Sequence, residues 1–166
     1  MTAPARQPET ILIAGERVTC DSRGVLYMPD MELLVVSDLH LEKGSSLARR
    51  GTLLPPYDTA ATLHRLHAVI ADYAPKRVIS LGDSFHDGEG ASRLPEIFRV
   101  RLEVLMEDRD WYWVAGNLDP RPPDGVSGRT VQEIAIGGLT FRHEPSAHPV
   151  EGEIAGHLHP CARIVQ

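Results

Sequence analysis

The stretch Leu33-Leu34-Val35-Val36-Ser37-Asp38-Leu39-His40 decides the fold. Its first four residues form a continuous apolar run, which is typical of a strand buried on both faces of a sheet. Polar groups follow at once, so Asp38 and His40 stand at the carboxyl end of that strand. In α/β proteins, ligands bind at the carboxyl ends of strands. The stretch therefore predicts an α/β protein with a functional site at this position.

The same pattern occurs twice more along the chain. An apolar run at 76–81 ends in Gly82-Asp83-Ser84-Phe85-His86-Asp87, and a run at 111–115 ends in Gly116-Asn117-Leu118-Asp119. Helical periodicity fills the intervals. One helix is predicted from Asp58, as its N-cap, to about Tyr73, and a second from about Pro95 to Glu107, with Ile97, Leu102 and Leu105 facing inward. Strands that alternate with helices favour a parallel sheet.

Short strands flank this central unit. Residues 11–14 and 25–28 predict an opening hairpin or meander around a turn at 21–24. Residues 131–136 and 139–141 predict a later hairpin around Gly137-Gly138. Beyond it, 153–155 leads into Gly156-His157-Leu158-His159. If that last stretch is extended, its alternation sends both imidazoles to one face, where they can bind a metal.

The length and composition suit one domain spanning residues 1–166. Neither a signal peptide nor a membrane-length apolar run occurs in the sequence, so a cytoplasmic protein without membrane contact is expected. Cys20 and Cys161 lie far apart and form no CxxC, which favours two reduced cysteines.

The charge balance bears on possible partners. Seventeen Lys and Arg residues against 23 Asp and Glu residues give a net charge of −6, which argues against broad electrostatic binding to nucleic acid. A nucleic-acid substrate stays open, because bound metals would return positive charge locally. Lys43, Arg49 and Arg50 form a basic cluster that either meets phosphates or is a solvated helix face.

The polar residues that follow the strands are of metal-ligand types. They are Asp38, His40, Asp83, Asn117, His143, His157 and His159. Taken singly, each motif is also explained as a helix cap or a turn. Taken together, carboxylate, amide and imidazole groups suit Mn, Fe or Zn better than calcium. Seven groups exceed one tetrahedral site and fit two metals that share a carboxylate, an arrangement used for phosphoryl displacement.

These motifs occur in the order and spacing of the calcineurin-like metallophosphoesterases. More narrowly, segments 37–43, 82–87, 143–145 and 156–160 resemble the DNA-ligase-associated metallophosphoesterases of the PdeM type, and the similarity runs from about residue 11 to the end. The resemblance implies an α/β fold of the αββα sandwich kind, in which mixed sheets are flanked by helices. It also implies a phosphodiesterase, expected to be a DNA-repair nuclease, that acts on DNA or another phosphodiester.

The resemblance further implies a role for each site residue. One metal would take Asp38, His40, Asp83 and His159, and the other Asp83, Asn117, His143 and His157, with Asp83 bridging. The expected cofactors are two Mn²⁺ ions, with Fe or Zn as alternatives. The segment 82–86 is also similar to that of SbcD-type repair nucleases, whose histidine contacts the scissile phosphate. His86 is therefore a candidate catalytic residue, or else a hydrogen-bonding partner of a ligand.

Two features depart from the family pattern. Most relatives read Gly-Asn-His-Asp or Gly-Asn-His-Glu where this chain has Leu118, and their histidine, oriented by the acidic residue, helps protonate the leaving oxygen. Asp119 is thus a candidate catalytic residue without its partner, and a step worth about 10²–10⁴ is either lost or supplied by a group such as His86. The alternative function is a catalytically impaired metal-binding module that docks a DNA ligase or helicase.

The second departure is at the C-terminus. Relatives usually add strands after the Gly-His-x-His-Pro motif, whereas this sequence closes with residues 161–166. A shortened sheet would expose an edge. The resemblance therefore predicts either an unusual C-terminal closure or a homodimer formed through that edge.

Overall fold

The structure is a computed structural model that describes residues 8–55 and 57–159. The strands in these ranges are β1 Glu9–Ile13, β2 Glu16–Asp21, β3 Val25–Met28, β4 Leu33–Val36, β5 Arg77–Leu81, β6 Asp110–Val114, β7 Arg129–Val131, β8 Glu133–Ile136, β9 Leu139–Arg142 and β10 Glu153–Ala155. The α-helices are α1 Lys43–Arg49, α2 Asp58–Tyr73, α3 Gly90–Arg93 and α4 Glu96–Met106, and a short 3-10 helix covers Pro29–Met31.

Seven strands form one mixed sheet in the order β1-β2-β3-β4-β5-β6-β7. Strands β1 to β4 pair antiparallel as a meander, and β4 to β7 pair parallel. The predicted meander and the parallel arrangement of the three central strands are confirmed. Strand β2 was not predicted, because its charged residues interrupt the apolar pattern. A second sheet has the order β10-β9-β8, with β8 antiparallel and β10 parallel to β9.

The core lies on both faces of the seven-stranded sheet. All four residues of β4 are buried because two layers cover the strand. Leu34 and Val36 pack in the cluster that includes the helices, and Leu33 and Val35 pack in the cluster that includes the three-stranded sheet. Burying each such side chain contributes about 1.5–3 kcal/mol. The described residues thus form a helix layer and both sheets of the expected sandwich, and the mixed α/β prediction is confirmed.

Two helix predictions need correction. Ile97 was expected to face inward, yet it is 60% exposed, since α4 packs on the sheet through Leu102 and Leu105. Asp58 was expected to cap its own helix, but it is the first residue of α2 and its Oδ2 accepts a hydrogen bond from the Gly44 amide at 3.0 Å. The carboxylate therefore caps the first turn of α1 and ties the two helices together.

Two strand predictions also need correction. The predicted strand at 131–136 is divided at Gln132, because β7 pairs with β6 in the large sheet and β8 pairs with β9 in the small one. The stretch 156–159 is not extended, since His157 and His159 have φ angles of 66° and 41°. The two rings consequently do not follow the alternation of a strand.

Other predictions concern the surface and the termini. No helix in the described ranges has the length and apolar character that crossing a membrane requires. Residues 160–166, on which the predicted C-terminal closure depends, lie outside the described residues, as does Cys161. The homodimer through that edge stays a prediction.

Candidate metal centre

The predicted site residues come together because the strand ends meet. Strands β4, β5 and β6 are parallel neighbours, so their carboxyl ends open on one edge of the large sheet. The parallel strands β9 and β10 bring the ends of the small sheet to the same place. Backbone hydrogen bonds join the first two loops, from the Asp38 amide to the Gly82 carbonyl at 3.2 Å and from the His40 amide to the Asp83 carbonyl at 2.9 Å.

One cluster consists of Asp38, His40 and His159, whose ligand atoms all lie within 4.8 Å of one another. The Nε2 of His159 is 3.4 Å from Asp38 Oδ1 and 3.5 Å from His40 Nε2. Asp38 Oδ1 is buried and has no hydrogen-bond partner among the described residues. Burial lowers the pKa of His40, which keeps the ring in the neutral form that binds metals. A buried, unsatisfied carboxylate oxygen beside two imidazole nitrogens fits a divalent cation.

The second cluster consists of Asp83, His143 and His157. His143 Nδ1 lies 2.7 Å from the carbonyl oxygen of Leu81 and donates to it, so in the neutral ring Nε2 carries the lone pair. That nitrogen faces Asn117 Oδ1 at 2.9 Å, Asp83 Oδ1 at 3.5 Å and His157 Nδ1 at 3.2 Å. Lone pairs that converge in this way repel one another unless a cation lies between them. The second cluster therefore also fits a metal ion, as the donor types predict.

The predicted metal ligands have an unusual backbone conformation. Five of the seven predicted ligands have φ angles between 41° and 66°, namely Asp38, His40, Asp83, His157 and His159. Each left-handed non-glycine residue costs on the order of 1–3 kcal/mol, and such strain concentrates at functional sites. No sequence pattern indicated this conformation, because the left-handed region is usually associated with glycine or asparagine.

Close packing explains one glycine of the motif. A Cβ atom on Gly156 would lie 2.1 Å from Ser37 Oγ and 2.9 Å from Asp38 Oδ2. The backbone there also carries the His157 amide, which donates to Asp38 Oδ2 at 3.2 Å. A side chain at position 156 would therefore force Ser37 to move and would crowd Asp38.

Asp119 and Leu118 join the loops that follow β5 and β6. Asp119 Oδ1 accepts hydrogen bonds from the amides of Asp83 and Gly116 at 2.9 and 3.1 Å, and its Oδ2 accepts one from Phe85 at 3.0 Å. Burial raises the pKa of Asp119 to about 6. The Leu118 amide donates to Asp83 Oδ1 at 2.9 Å. The carboxylate of Asp119 thus holds the backbone around Asp83, a contact that the sequence did not reveal.

His86 adjoins the first cluster without belonging to it. Its Nδ1 lies 3.4 Å from His40 Nδ1, and its half-buried ring meets that of His40 edge to face. Burial, followed by the charges of Lys43 and Arg50, lowers the pKa of His86. A neutral imidazole in this place can orient His40 or contact a substrate. His64 and His67 are exposed on α2 and belong to neither cluster.

Comparison with known proteins identifies the family. A family model described as calcineurin-like phosphoesterase matches residues 31–161, a range that contains both clusters. A solved structure titled "Crystal structure of Pseudomonas putida nuclease MPE" aligns with a TM-score of 0.74 and 25% sequence identity, covering 93% of this chain and 74% of that chain. No curated protein matches the sequence significantly. Because the family match spans most of the sequence, the chain belongs to the calcineurin-like phosphoesterase family.

Proposed function

We propose that this metal-dependent phosphodiesterase cleaves DNA and uses two Mn²⁺ ions. The observation that carries the proposal is the pair of adjoining clusters, in each of which an aspartate oxygen faces imidazole nitrogens. Similarity to a Pseudomonas nuclease supports a nucleic-acid phosphodiester as the substrate. The motifs at 37–43 and 156–160, which resemble the DNA-ligase-associated subfamily, support a role in DNA repair.

The proposed ligand sets follow the two clusters. Asp38, His40 and His159 hold one ion, and Asn117, His143 and His157 hold the other. Asp83 belongs to the second cluster, and its backbone carbonyl accepts from the His40 amide, which favours it as the shared carboxylate. When bound, such a pair supplies Lewis acidity toward phosphate and lowers the pKa of water.

The protein itself contributes orientation. The Leu81 carbonyl fixes the tautomer and the direction of the His143 ring. Asp119 fixes the loop that bears Asp83, so we propose that it acts by positioning that residue rather than by transferring a proton. His86 lies outside both clusters, but its ring contacts His40 of the first cluster. We propose it as the histidine that contacts the scissile phosphate.

The test is metal-dependent turnover. The purified protein is assayed with Mn²⁺ on single-stranded DNA and on bis-p-nitrophenyl phosphate, and Mn²⁺ affinity is measured by isothermal titration calorimetry. Asp83→Asn is expected to lower turnover at least 100-fold and to weaken Mn²⁺ binding, because one acceptor of the second cluster loses its charge. Asp124→Asn, which changes an exposed loop carboxylate, serves as the matched control. Full activity of Asp83→Asn would contradict the proposed site.

A second function is favoured by Leu118. Its side chain cannot donate a proton, which is the property expected of a metal-binding module that docks a DNA ligase or helicase without cleaving DNA. Turnover of a phosphodiester distinguishes the two proposals. Stoichiometric Mn²⁺ binding without turnover of any phosphodiester supports the docking module, whereas Mn²⁺-dependent cleavage that Asp83→Asn abolishes supports the nuclease.

A further inference from the structure

A groove of about 450 Å³ lies beside the metal centre. The end of α1 with Arg50, the loop 87–89 and Arg121 line it. Asp87, which lines the groove, follows His86 directly in the sequence, and Arg121 comes two residues after Asp119. The groove therefore adjoins the loop that follows His86 and the segment that follows Asp119.

The acidic residues of this groove have ion-pair partners, whereas two of its arginines have none among the described residues. Asp87 accepts two hydrogen bonds from Arg93, at 2.9 and 2.8 Å, and Glu89 forms an ion pair with Arg49. Both carboxylates are thus neutralised by arginines. Arg50 and Arg121 form no ion pair with any carboxylate in ranges 8–55 and 57–159, although the chain has a net charge of −6. The groove consequently carries unpaired positive charge in an acidic protein.

The unpaired cations lie close to the reacting centre. The Arg121 guanidinium packs over Gly88, with Nη2 3.4 Å from the point that a Cβ atom there would occupy. The same point is 3.9 Å from the Leu118 carbonyl oxygen. Arg50, at the end of α1, lines the same groove as Gly88 and Arg121. The Arg121 guanidinium therefore lies against the loop that follows His86 and near the backbone of Leu118.

We propose that this groove binds the phosphate adjacent to the scissile phosphate of a polynucleotide strand, with Arg50 and Arg121 as its guanidinium contacts. This inference rests on the proposed function and names its substrate as a strand rather than a mononucleotide ester. The planar guanidinium fork matches the oxygens of a phosphate, and an unpaired arginine has its donors free for it. Positive charge that is local to the groove reconciles an acidic chain with a nucleic-acid substrate.

The test compares Arg50→Gln and Arg121→Gln with Arg77→Gln, which removes an exposed arginine at the amino end of β5, opposite the site. The first measurement is kcat/KM on a fluorescent single-stranded oligonucleotide divided by kcat/KM on bis-p-nitrophenyl phosphate, with Mn²⁺. The second is binding of the same oligonucleotide to the protein in EDTA, by fluorescence anisotropy over a range of KCl concentrations. Thermal melting of each variant checks the fold.

Each groove variant is expected to lower the activity ratio at least fivefold and to reduce the slope of log affinity against log salt by about one. The Arg77→Gln protein keeps both wild-type values. Groove variants that match Arg77→Gln in ratio and slope would overturn the groove while leaving the nuclease intact. A protein that hydrolyses no phosphodiester, yet binds the oligonucleotide through Arg50 and Arg121, would overturn the proposed function while supporting the groove.

Discussion

Substitution of Gly116 by alanine tests whether the close packing of Gly116 against Asp83 is needed for metal binding. A Cβ atom at this position would lie 2.2 Å from the Asp83 amide nitrogen, 2.3 Å from Asp83 Oδ1 and 2.6 Å from Asp119 Oδ1. Cβ atoms essentially never approach other atoms within 3.0 Å, so Asp83 must move by about 0.8 Å, the difference between 2.2 and 3.0 Å. The φ angle of Gly116 is not in the left-handed region, so the substitution adds crowding without backbone strain.

The expected size of the effect follows from this displacement. Metal–ligand distances tolerate only about 0.2 Å, so a ligand that moves four times as far is lost to the metal. We expect Mn²⁺ affinity to fall at least 100-fold. At a Mn²⁺ concentration 100 times the wild-type Kd, the metal stabilises the wild type by about 2.7 kcal/mol and the variant by only about 0.4 kcal/mol. In metal-free buffer, crowding should cost the variant about 1–3 kcal/mol.

The assay is urea unfolding with and without Mn²⁺, combined with calorimetric titration of the metal. Gly88→Ala is the matched control, because a Cβ there meets its nearest atom at 3.4 Å, an ordinary contact. It should keep the full metal-induced gain in the free energy of unfolding. A Gly116→Ala protein that binds Mn²⁺ within threefold of the wild-type affinity would refute the reasoning, since the loop would then have moved without Asp83.

Three further predictions address catalysis, pH and packing. Leu118→His should raise the rate of DNA cleavage at least tenfold, because an imidazole there can protonate the leaving oxygen, and an unchanged rate would show that another group already does so. Hydrogen bonds from Arg23 hold the pKa of Asp21 well below its usual range, so its carboxylate stabilises the fold above about pH 4 and that stabilisation is lost as the pH falls further. Asp21→Asn should therefore lower the free energy of unfolding by about 2 kcal/mol at pH 7 and by less at pH 3, and equal losses at both pH values would contradict this. Phe141→Ala, which empties a fully buried site between the sheets, should cost about 3–5 kcal/mol in urea unfolding, and a loss below 1 kcal/mol would mean that the cavity closes.

Much of the fold was predictable because the faces of a strand that are buried determine where its apolar residues occur. The run at 33–36 is apolar throughout since helices cover one face and the small sheet covers the other. The errors arose where tertiary pairing overrides local pattern. The segment 131–136 reads as one strand, but its two halves satisfy their hydrogen bonds in different sheets. Asp58 stands at a helix start as predicted, yet the amide it caps belongs to the neighbouring helix.

The sequence predicted which side chains lie together at the candidate site, but it did not predict their backbone conformation. Side chains at the ends of parallel strands meet at one edge, which is why Asp38, Asp83 and Asn117 could be grouped from their positions alone. An extended stretch would have put His157 and His159 on one face, but both residues are left-handed. Their rings lie in different clusters, as the family resemblance implied. The tether formed by Asp119 depends on backbone amides, which have no signature in a sequence.

The left-handed ligand residues have a consequence for how selection acts on this protein. Each of these positions would be less strained with glycine, so mutation toward the more stable chain removes ligands, and stability alone gives no reason to keep them. These five carboxylate and imidazole residues thus carry a backbone strain that the packing of the fold alone does not explain.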